Sequence, residues 1–115
     1  MERVASTTTP QPVIAIAERR SSGLAAVKGA NWVVIADRIS DPGNLGTILR
    51  SAEAAGVSAV VLTPGTVEAF NPKVVRASAG AMFHVPIIED VSVEEIRDNG
   101  FKVFGIIANA FRKLY

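Results

Sequence analysis

The sequence predicts an α/β fold in which a mostly parallel sheet is flanked by helices. Short apolar runs alternate with segments of helical periodicity along most of the 115 residues, which is the order of elements expected for this class. The runs are continuously apolar rather than alternating with polar residues, as in strands buried on both faces of a sheet. Hydrophobic residues make up 49% of the chain and charged residues 20%, so one domain can bury a sizeable core.

Five apolar runs are the candidate strands, at 13–17, 31–37, 59–62, 83–88 and 102–107. Pro86 makes the fourth run an edge strand or an irregular one, because proline lacks the amide that a central strand needs. Residues 1–12 are rich in Thr and Pro and are expected to form a flexible lead-in. The domain is therefore placed at 13–115.

The first predicted helix follows the 31–37 run. Leu45, Ile48, Leu49 and Ala52 recur at the spacing of a single apolar helix face. Gly56 is expected to end the helix, since glycine readily adopts the left-handed conformation found there.

Two further helices are predicted from their terminal residues. Asn71 and Pro72 fit an N-cap followed by proline in the first turn, with an end near Gly80. Ser92 and Glu95 have the spacing of a capping box. From the second run onward, the order is strand, helix, strand, helix, strand, helix, strand. In such folds, ligands bind beyond the carboxyl ends of the strands.

Composition excludes several classes of protein. The chain has no cysteine and one histidine, which excludes a disulfide scaffold, a cysteine-type zinc site and a histidine-rich metal site. No apolar run reaches the roughly 18 residues of a membrane span, and the N-terminal residues do not resemble an export signal. We therefore expect a soluble, cytoplasmic protein. The net charge of +1 means that any nucleic-acid binding must depend on local patches.

The segment 37–56 is the richest in polar and glycine residues, and it leads from a buried strand into a helix. Amides at a helix N-terminus can bind anions, but the glycine spacing fits neither a dinucleotide fingerprint nor a P-loop. Arg50 is the candidate functional cation of this helix. The alternative is an ordinary capped helix in which Arg50 pairs with Glu53 on the surface.

A second candidate group is the basic pair Lys73 and Arg76, which share one helix face. They either hold RNA phosphates or belong to a solvated face. His84 is expected to be structural rather than catalytic. Trp32 and Phe104 lie in apolar runs and are expected to be core residues rather than platforms for base stacking.

The loop and helix also carry a motif. Residues 41–46 read Asp-Pro-Gly-Asn-Leu-Gly, Arg50 follows six residues after Asn44, and 52–56 read Ala-Glu-Ala-Ala-Gly. This motif resembles the first signature of the SpoU (TrmH-like) RNA 2'-O-ribose methyltransferases, members of the SPOUT superfamily.

Two other segments extend the resemblance to about residues 7–107. They are Thr-Thr-Thr-Pro-Gln at 7–11 and the segment at 71–81, which begins Asn-Pro-Lys. The resemblance implies the Rossmann-like N-terminal part of a SPOUT (α/β-knot) methyltransferase domain.

The resemblance implies methyl transfer from S-adenosylmethionine to a ribose 2'-hydroxyl, with ribosomal RNA as the expected substrate and a homodimer as the full-length assembly. It places Asn44 and Arg50 in the active site. Guanidinium stays protonated at neutral pH and is a poor general base, so Arg50 is expected to hold a phosphate and align the 2'-oxygen. Asn44 would orient Arg50 or cap the helix, Glu53 would only hold Arg50, and Lys73 and Arg76 would contact RNA.

The sequence also departs from the family. The two later motifs, which form the knot and bind most of the cofactor, do not occur in it, and Ile106 stands where relatives have a polar residue. The side chain of Ile106 cannot replace that polar residue, but its main chain is still expected to contact the cofactor. The chain is therefore interpreted as a truncated or diverged part of such an enzyme. The alternatives are a non-catalytic RNA-binding or interaction module and a regulatory domain that binds no RNA.

Overall fold

A computed structural model describes residues 13–18, 23–107 and 110–113. Its central element is a three-stranded parallel sheet in the order β1–β2–β3. The strands are β1 (Val34–Ala36), β2 (Val60–Leu62) and β3 (Ile87–Ile88). The predicted parallel sheet is thus confirmed, whereas the lead-in predicted at 1–12 lies outside the described residues.

Three α-helices connect and flank the strands: α1 (Pro42–Ala55), α2 (Pro72–Ser78) and α3 (Val93–Asp98). Two 3₁₀ turns, Leu24–Val27 and Ala81–Phe83, lie before β1 and β3. The predicted helix ends are confirmed. Gly56 ends α1 with φ 71°, Asn71 caps α2, and Ser92 and Glu95 form the capping box of α3.

The core lies on both faces of the sheet, and β2 separates its two parts. Val60 and Leu62 pack with α1 and α2, whereas Val61 packs with α3 on the opposite face. All three side chains are at most 2% exposed. This burial on both faces is the reason that the β2 sequence is continuously apolar.

The fourth apolar run gives an edge strand, as predicted. Within this run, only Ile87 and Ile88 pair with β2. Phe83, the first residue of the run, belongs instead to the 3₁₀ turn Ala81–Phe83. The carbonyl of Pro86 accepts a hydrogen bond from the Val60 amide at 2.9 Å. Proline is compatible with this position because only its carbonyl is needed there.

The strand predicted at 13–17 does not form. Residues 13–18 have no regular secondary structure, and Val13 and Ile16 are 78% and 94% exposed. An apolar run becomes a strand only when a neighbouring strand supplies hydrogen bonds, and none of the strands in the described ranges pairs with this segment.

The last apolar run forms a strand, but outside the parallel sheet. β4 (Phe104–Ile107) pairs antiparallel with β5 (Ala110–Lys113) in a separate two-stranded sheet. The two strands are separated by two residues of sequence, a connection that permits only an antiparallel return. The strand predicted at 102–107 therefore forms, but it does not belong to the parallel sheet of the described residues.

Trp32 and Phe104 are not core residues, contrary to the sequence prediction. They are 47% and 53% exposed. Trp32 precedes β1 and lines a shallow hollow between β1 and α1, together with Ile48 and Ala55. Phe104 begins β4, in the separate two-stranded sheet.

Candidate functional site

Helices α1 and α2 pack side by side on one face of the sheet and are in close contact at Gly46. Gly46 is buried, and a Cβ atom added there would overlap the Cβ of Ala77 and lie 2.7 Å from the Ala77 carbonyl carbon. Only glycine therefore permits this approach. The contact fixes the spacing between the polar residues that the two helices expose.

The loop between β1 and α1 is fastened by Thr63, which follows β2 and is only 5% exposed. The Thr63 hydroxyl donates to Asp37 Oδ1 at 2.8 Å and accepts from the Arg38 amide at 3.0 Å. Thr66 Oγ1 donates to the Ala36 carbonyl at 3.1 Å. These bonds hold Arg38 at φ 54°, a left-handed conformation that is unusual for residues other than glycine.

Asn44 lies exposed in the first turn of α1, but it does not cap the helix. The cap is Asp41, whose Oδ2 accepts a hydrogen bond from the Asn44 amide at 2.8 Å. Arg50 is six positions after Asn44 in the helix, which corresponds to about 9 Å of rise and about 120° of rotation. The capping role expected for Asn44 is therefore wrong, and its expected role in orienting Arg50 stays a prediction.

Arg50 lies exposed on the stripe of α1 that faces α2. Gly46, Arg50 and Glu53 follow one another at i, i+4 and i+7, so they share one side of the helix. Arg50 Nη2 donates a long hydrogen bond of 3.4 Å to Thr47 Oγ1. In the described part of the chain, Arg50 forms no ion pair, and its guanidinium can accommodate an anion.

Glu53 pairs with His84 instead of with Arg50. Glu53 Oε1 and His84 Nδ1 lie 2.8 Å apart, with side chains that are 39% and 69% exposed. The expected Glu53–Arg50 contact is wrong because the end of α1 lies beside the turn that leads into β3. No local spacing indicates this contact, since 31 residues separate the partners. The contact joins His84 to α1, and its expected structural rather than catalytic role stays a prediction.

Lys73 and Arg76 both lie exposed on α2, as predicted, in its first and last turns. The Lys73 amide donates to Asn71 Oδ1 at 2.9 Å. Arg76 directly precedes Ala77, which contacts Gly46 of α1. The structure therefore brings the helix that exposes Arg50 and the helix that exposes Lys73 and Arg76 together at one helix–helix seam, which is defined by the contact between Gly46 and Ala77.

Ile106 lies in β4, where its backbone is paired with Phe111. Because β4 belongs to a different sheet from β1, the structure does not place Ile106 at the carboxyl ends of the parallel strands. Its predicted contact with the cofactor stays a prediction.

An open groove of about 1420 Å³ lies between β1 and β4. Its lining is largely apolar and includes Val33, Ile35 and Phe101. Thr63 and Ser78 are the buried polar residues of the described ranges, both hydrogen-bonded, and neither lines the groove. The groove is also lined by the polar residues Lys28, Asn31, Asp37, Asn99 and Lys102, but all five are exposed. A nucleoside and an amino-acid carboxylate need several polar partners in a site that buries the ligand, so the described residues do not fit a complete site for S-adenosylmethionine.

Neither a metal-binding cluster nor a membrane-spanning helix is found among the described residues. No group of three or more Asp, Glu, His or Cys side chains is arranged to hold a metal ion in the described ranges. No described helix is both long and apolar enough to span a membrane.

Known families and curated proteins include relatives of this chain. The SpoU rRNA Methylase family matches residues 31–113, a range that contains both helices of the seam. The 23S rRNA (guanosine(2553)-2'-O)-methyltransferase RlmP of Bacillus subtilis is 42% identical over 105 residues, covering 89% of this chain and 41% of that protein. The mitochondrial rRNA methyltransferase 3 of Mus musculus is 58% identical over 64 residues, or 56% of this chain and 15% of that protein.

Solved structures show the same partial correspondence. The AdoMet-bound rRNA methyltransferase from Sinorhizobium meliloti superposes with a TM-score of 0.61 at 40% identity, covering 70% of this chain and 31% of that one. The SpoU methyltransferase AviRb from Streptomyces viridochromogenes, in complex with AdoMet, gives a TM-score of 0.54 at 36% identity, covering 58% and 26%. The chain therefore spans about two fifths or less of these relatives, and the predicted fold class is confirmed.

Proposed function

Because this chain belongs to the SpoU rRNA methylase family, we propose that it supplies the RNA-facing part of an enzyme that methylates ribose 2'-hydroxyls in ribosomal RNA. The observation that carries the proposal is the position of Arg50, exposed on α1 beside helix α2, which exposes Lys73 and Arg76. The name of the Bacillus subtilis relative supports both the ribose 2'-oxygen and the ribosomal substrate.

Arg50 acts in this proposal as a holder of phosphate rather than as a base. Its guanidinium stays protonated at neutral pH and presents paired N–H donors that match two phosphate oxygens. A phosphate held in this way restricts the rotation of the attached ribose. The 2'-oxygen is thereby aligned for in-line attack, which lowers the entropic cost of reaching the transition state.

Lys73 and Arg76 would bind neighbouring phosphates along the same strand of RNA. Both side chains are exposed on α2, and each phosphate contact adds affinity that decreases with salt. Asn44 is exposed at the start of α1, where its amide side chain can contact RNA without an intramolecular role. We also propose that the full-length protein forms a homodimer and is located in the cytoplasm.

S-adenosylmethionine is the proposed methyl donor, because solved relatives bind it. When bound, it would supply an electrophilic methyl group. The described residues do not complete its site, so no step of the reaction is assigned to a contact between this chain and the cofactor. The proposed contribution of this chain is to bind and align the RNA.

A chimera tests the proposal directly. Residues 31–113 would replace the matching segment of the Bacillus subtilis relative, and transfer of labelled methyl groups to ribose 2'-oxygens of 23S rRNA would be measured. We expect the chimera to methylate RNA and Arg50→Ala to abolish transfer while leaving cofactor affinity unchanged. Arg97→Ala, which removes an exposed cation from α3, is the matched control and should retain activity.

Two outcomes would count against the proposal. A folded chimera that binds S-adenosylmethionine and RNA without methyl transfer would favour the non-catalytic RNA-binding alternative. Full activity of the Arg50→Ala chimera would show that Arg50 does not align the RNA.

A further inference from the structure

Phe83 is an exposed aromatic residue at the end of the turn between α2 and β3. It is 64% exposed, whereas the two preceding residues of the 3₁₀ turn, Ala81 and Met82, are 1% and 6% exposed. The turn is reached through Ala79 and Gly80, both with positive φ, at 50° and 88°. The backbone is thus directed so that Ala81 and Met82 enter the core while the Phe83 ring remains at the surface.

The helix seam places the chain segment that carries Phe83 beside α1. Gly46 contacts Ala77 at one end of the α1 stripe, and Glu53 contacts His84 at the other end. Arg50 lies between these two contacts, so it faces the chain segment that joins Ala77 to His84. Phe83 belongs to that segment and directly precedes His84, about one helical turn from the level of Arg50.

The charges around this ring suit an anionic strand. Arg50 lies on the α1 side, Arg76 lies in the last turn of α2, and both are exposed. Glu53 is the acidic residue on this stripe of α1, and its carboxylate is already engaged by His84. An aromatic ring beside cations is the combination that binds single-stranded nucleic acid, because bases stack on the ring while cations hold phosphates.

We infer that Phe83 is a stacking platform for an unpaired RNA base next to the nucleotide whose phosphate Arg50 holds. This inference deepens the proposed function and rests on it. Stacking tolerates any base, so Phe83 would hold a single-stranded nucleotide in place without selecting its sequence. The ring would thereby add affinity that does not depend on salt to the salt-dependent binding by the arginines.

The test measures RNA affinity of the 115-residue chain with single-stranded oligoadenylate that carries one 2-aminopurine. Phe83→Leu keeps an apolar side chain but removes the ring, and Phe83→Trp keeps an aromatic ring. Phe104→Leu is the matched control, since Phe104 is 53% exposed in the separate two-stranded sheet. Thermal melting of each variant, followed by circular dichroism, checks that folding is unchanged.

We expect Phe83→Leu to weaken binding by about 5- to 150-fold, the equivalent of losing one base stack. The dependence on salt concentration should stay unchanged, and the quenching of 2-aminopurine should be lost. Phe83→Trp should restore affinity and quenching, and Phe104→Leu should behave as the wild type.

Three results would overturn the inference. If the wild type binds RNA and Phe83→Leu binds equally well, Phe83 does not stack and the proposed function still stands. If Phe83→Leu instead lowers only self-association in sedimentation, the ring is a contact between copies of the chain. If the wild type binds no RNA at any salt concentration, the proposed function fails together with the inference.

Discussion

Glu53 Oε1 on α1 and His84 Nδ1, in the turn that enters β3, lie 2.8 Å apart. The contact joins the last part of α1 to the residue that follows Phe83. It therefore fixes the turn relative to Arg50, which lies one helical turn earlier than Glu53 on the same stripe. The arrangement of the candidate site thus involves a pair of residues that are not themselves proposed to contact RNA.

Removal of the Glu53–His84 pair should have a small effect on stability. Both side chains are substantially exposed, and such pairs contribute about 0.2 to 1 kcal/mol. Glu53→Gln should therefore lower the free energy of unfolding by an amount in this range. A double-mutant cycle with His84→Asn in urea denaturation measures the coupling. A coupling energy of zero would mean that the pair does not hold the turn.

Gly46→Ala should be among the most destabilising small substitutions in the chain. The added methyl group would overlap Ala77, and overpacking of this kind costs about 1 to 3 kcal/mol. The measurement is the urea midpoint together with RNA affinity, because separation of α1 from α2 would displace Arg50 from Arg76.

Gly56→Ala is the control for this substitution. Nothing lies within 4 Å of a Cβ added at Gly56, but its φ is 71°, so only backbone strain of about 1 kcal/mol is expected. RNA affinity should then be unaffected. Equal losses of RNA affinity in the two variants would show that helix spacing does not determine the site.

Thr63→Val should loosen the loop that leads into α1. It removes a hydroxyl that donates to Asp37 and accepts from the Arg38 amide, and the loss of a hydrogen bond typically costs about 0.5 to 1.5 kcal/mol. Amide hydrogen exchange should become faster at Arg38. Thr63→Ser keeps the hydroxyl and should retain slow exchange; if it exchanges as fast as Thr63→Val, the hydroxyl is not what fastens the loop.

The chain is expected to self-associate at high concentration. β1 is an edge of the described sheet, and the groove beside it is lined by apolar side chains such as Val33 and Ile35. Such an edge can pair with another chain. Light scattering measures the average mass, and Val33→Lys should lower it. A monomer throughout the concentration range would contradict this expectation.

Interactions between residues that are close in sequence were sufficient to predict much of the fold. Gly56 at the end of α1, Asn71 with Pro72, and the Ser92–Glu95 capping box were predictable because each interaction spans only a few residues. The burial of β2 followed from its uninterrupted apolar sequence. The motif with Asn44 and Arg50 came from family resemblance, and their proposed roles are still untested.

The features that sequence reasoning missed depend on distant contacts. Glu53 meets His84 across 31 residues, and Thr63 meets Asp37 across 26, so no local spacing indicates either contact. The runs at 13–17 and 102–107 were both assigned from apolar content, which does not specify a pairing partner. Trp32 and Phe83 illustrate the same limit, because exposure of an aromatic residue depends on what packs against it.

The central claim is that Arg50 holds RNA phosphate on the seam between α1 and α2. The most direct test is the salt dependence of RNA affinity for the wild type and for Arg50→Ala. We predict that the slope of log affinity against log salt becomes shallower by about 0.7 to 0.9 in the variant, as expected for one lost phosphate contact. Equal slopes and equal affinities for the two proteins would contradict the claim.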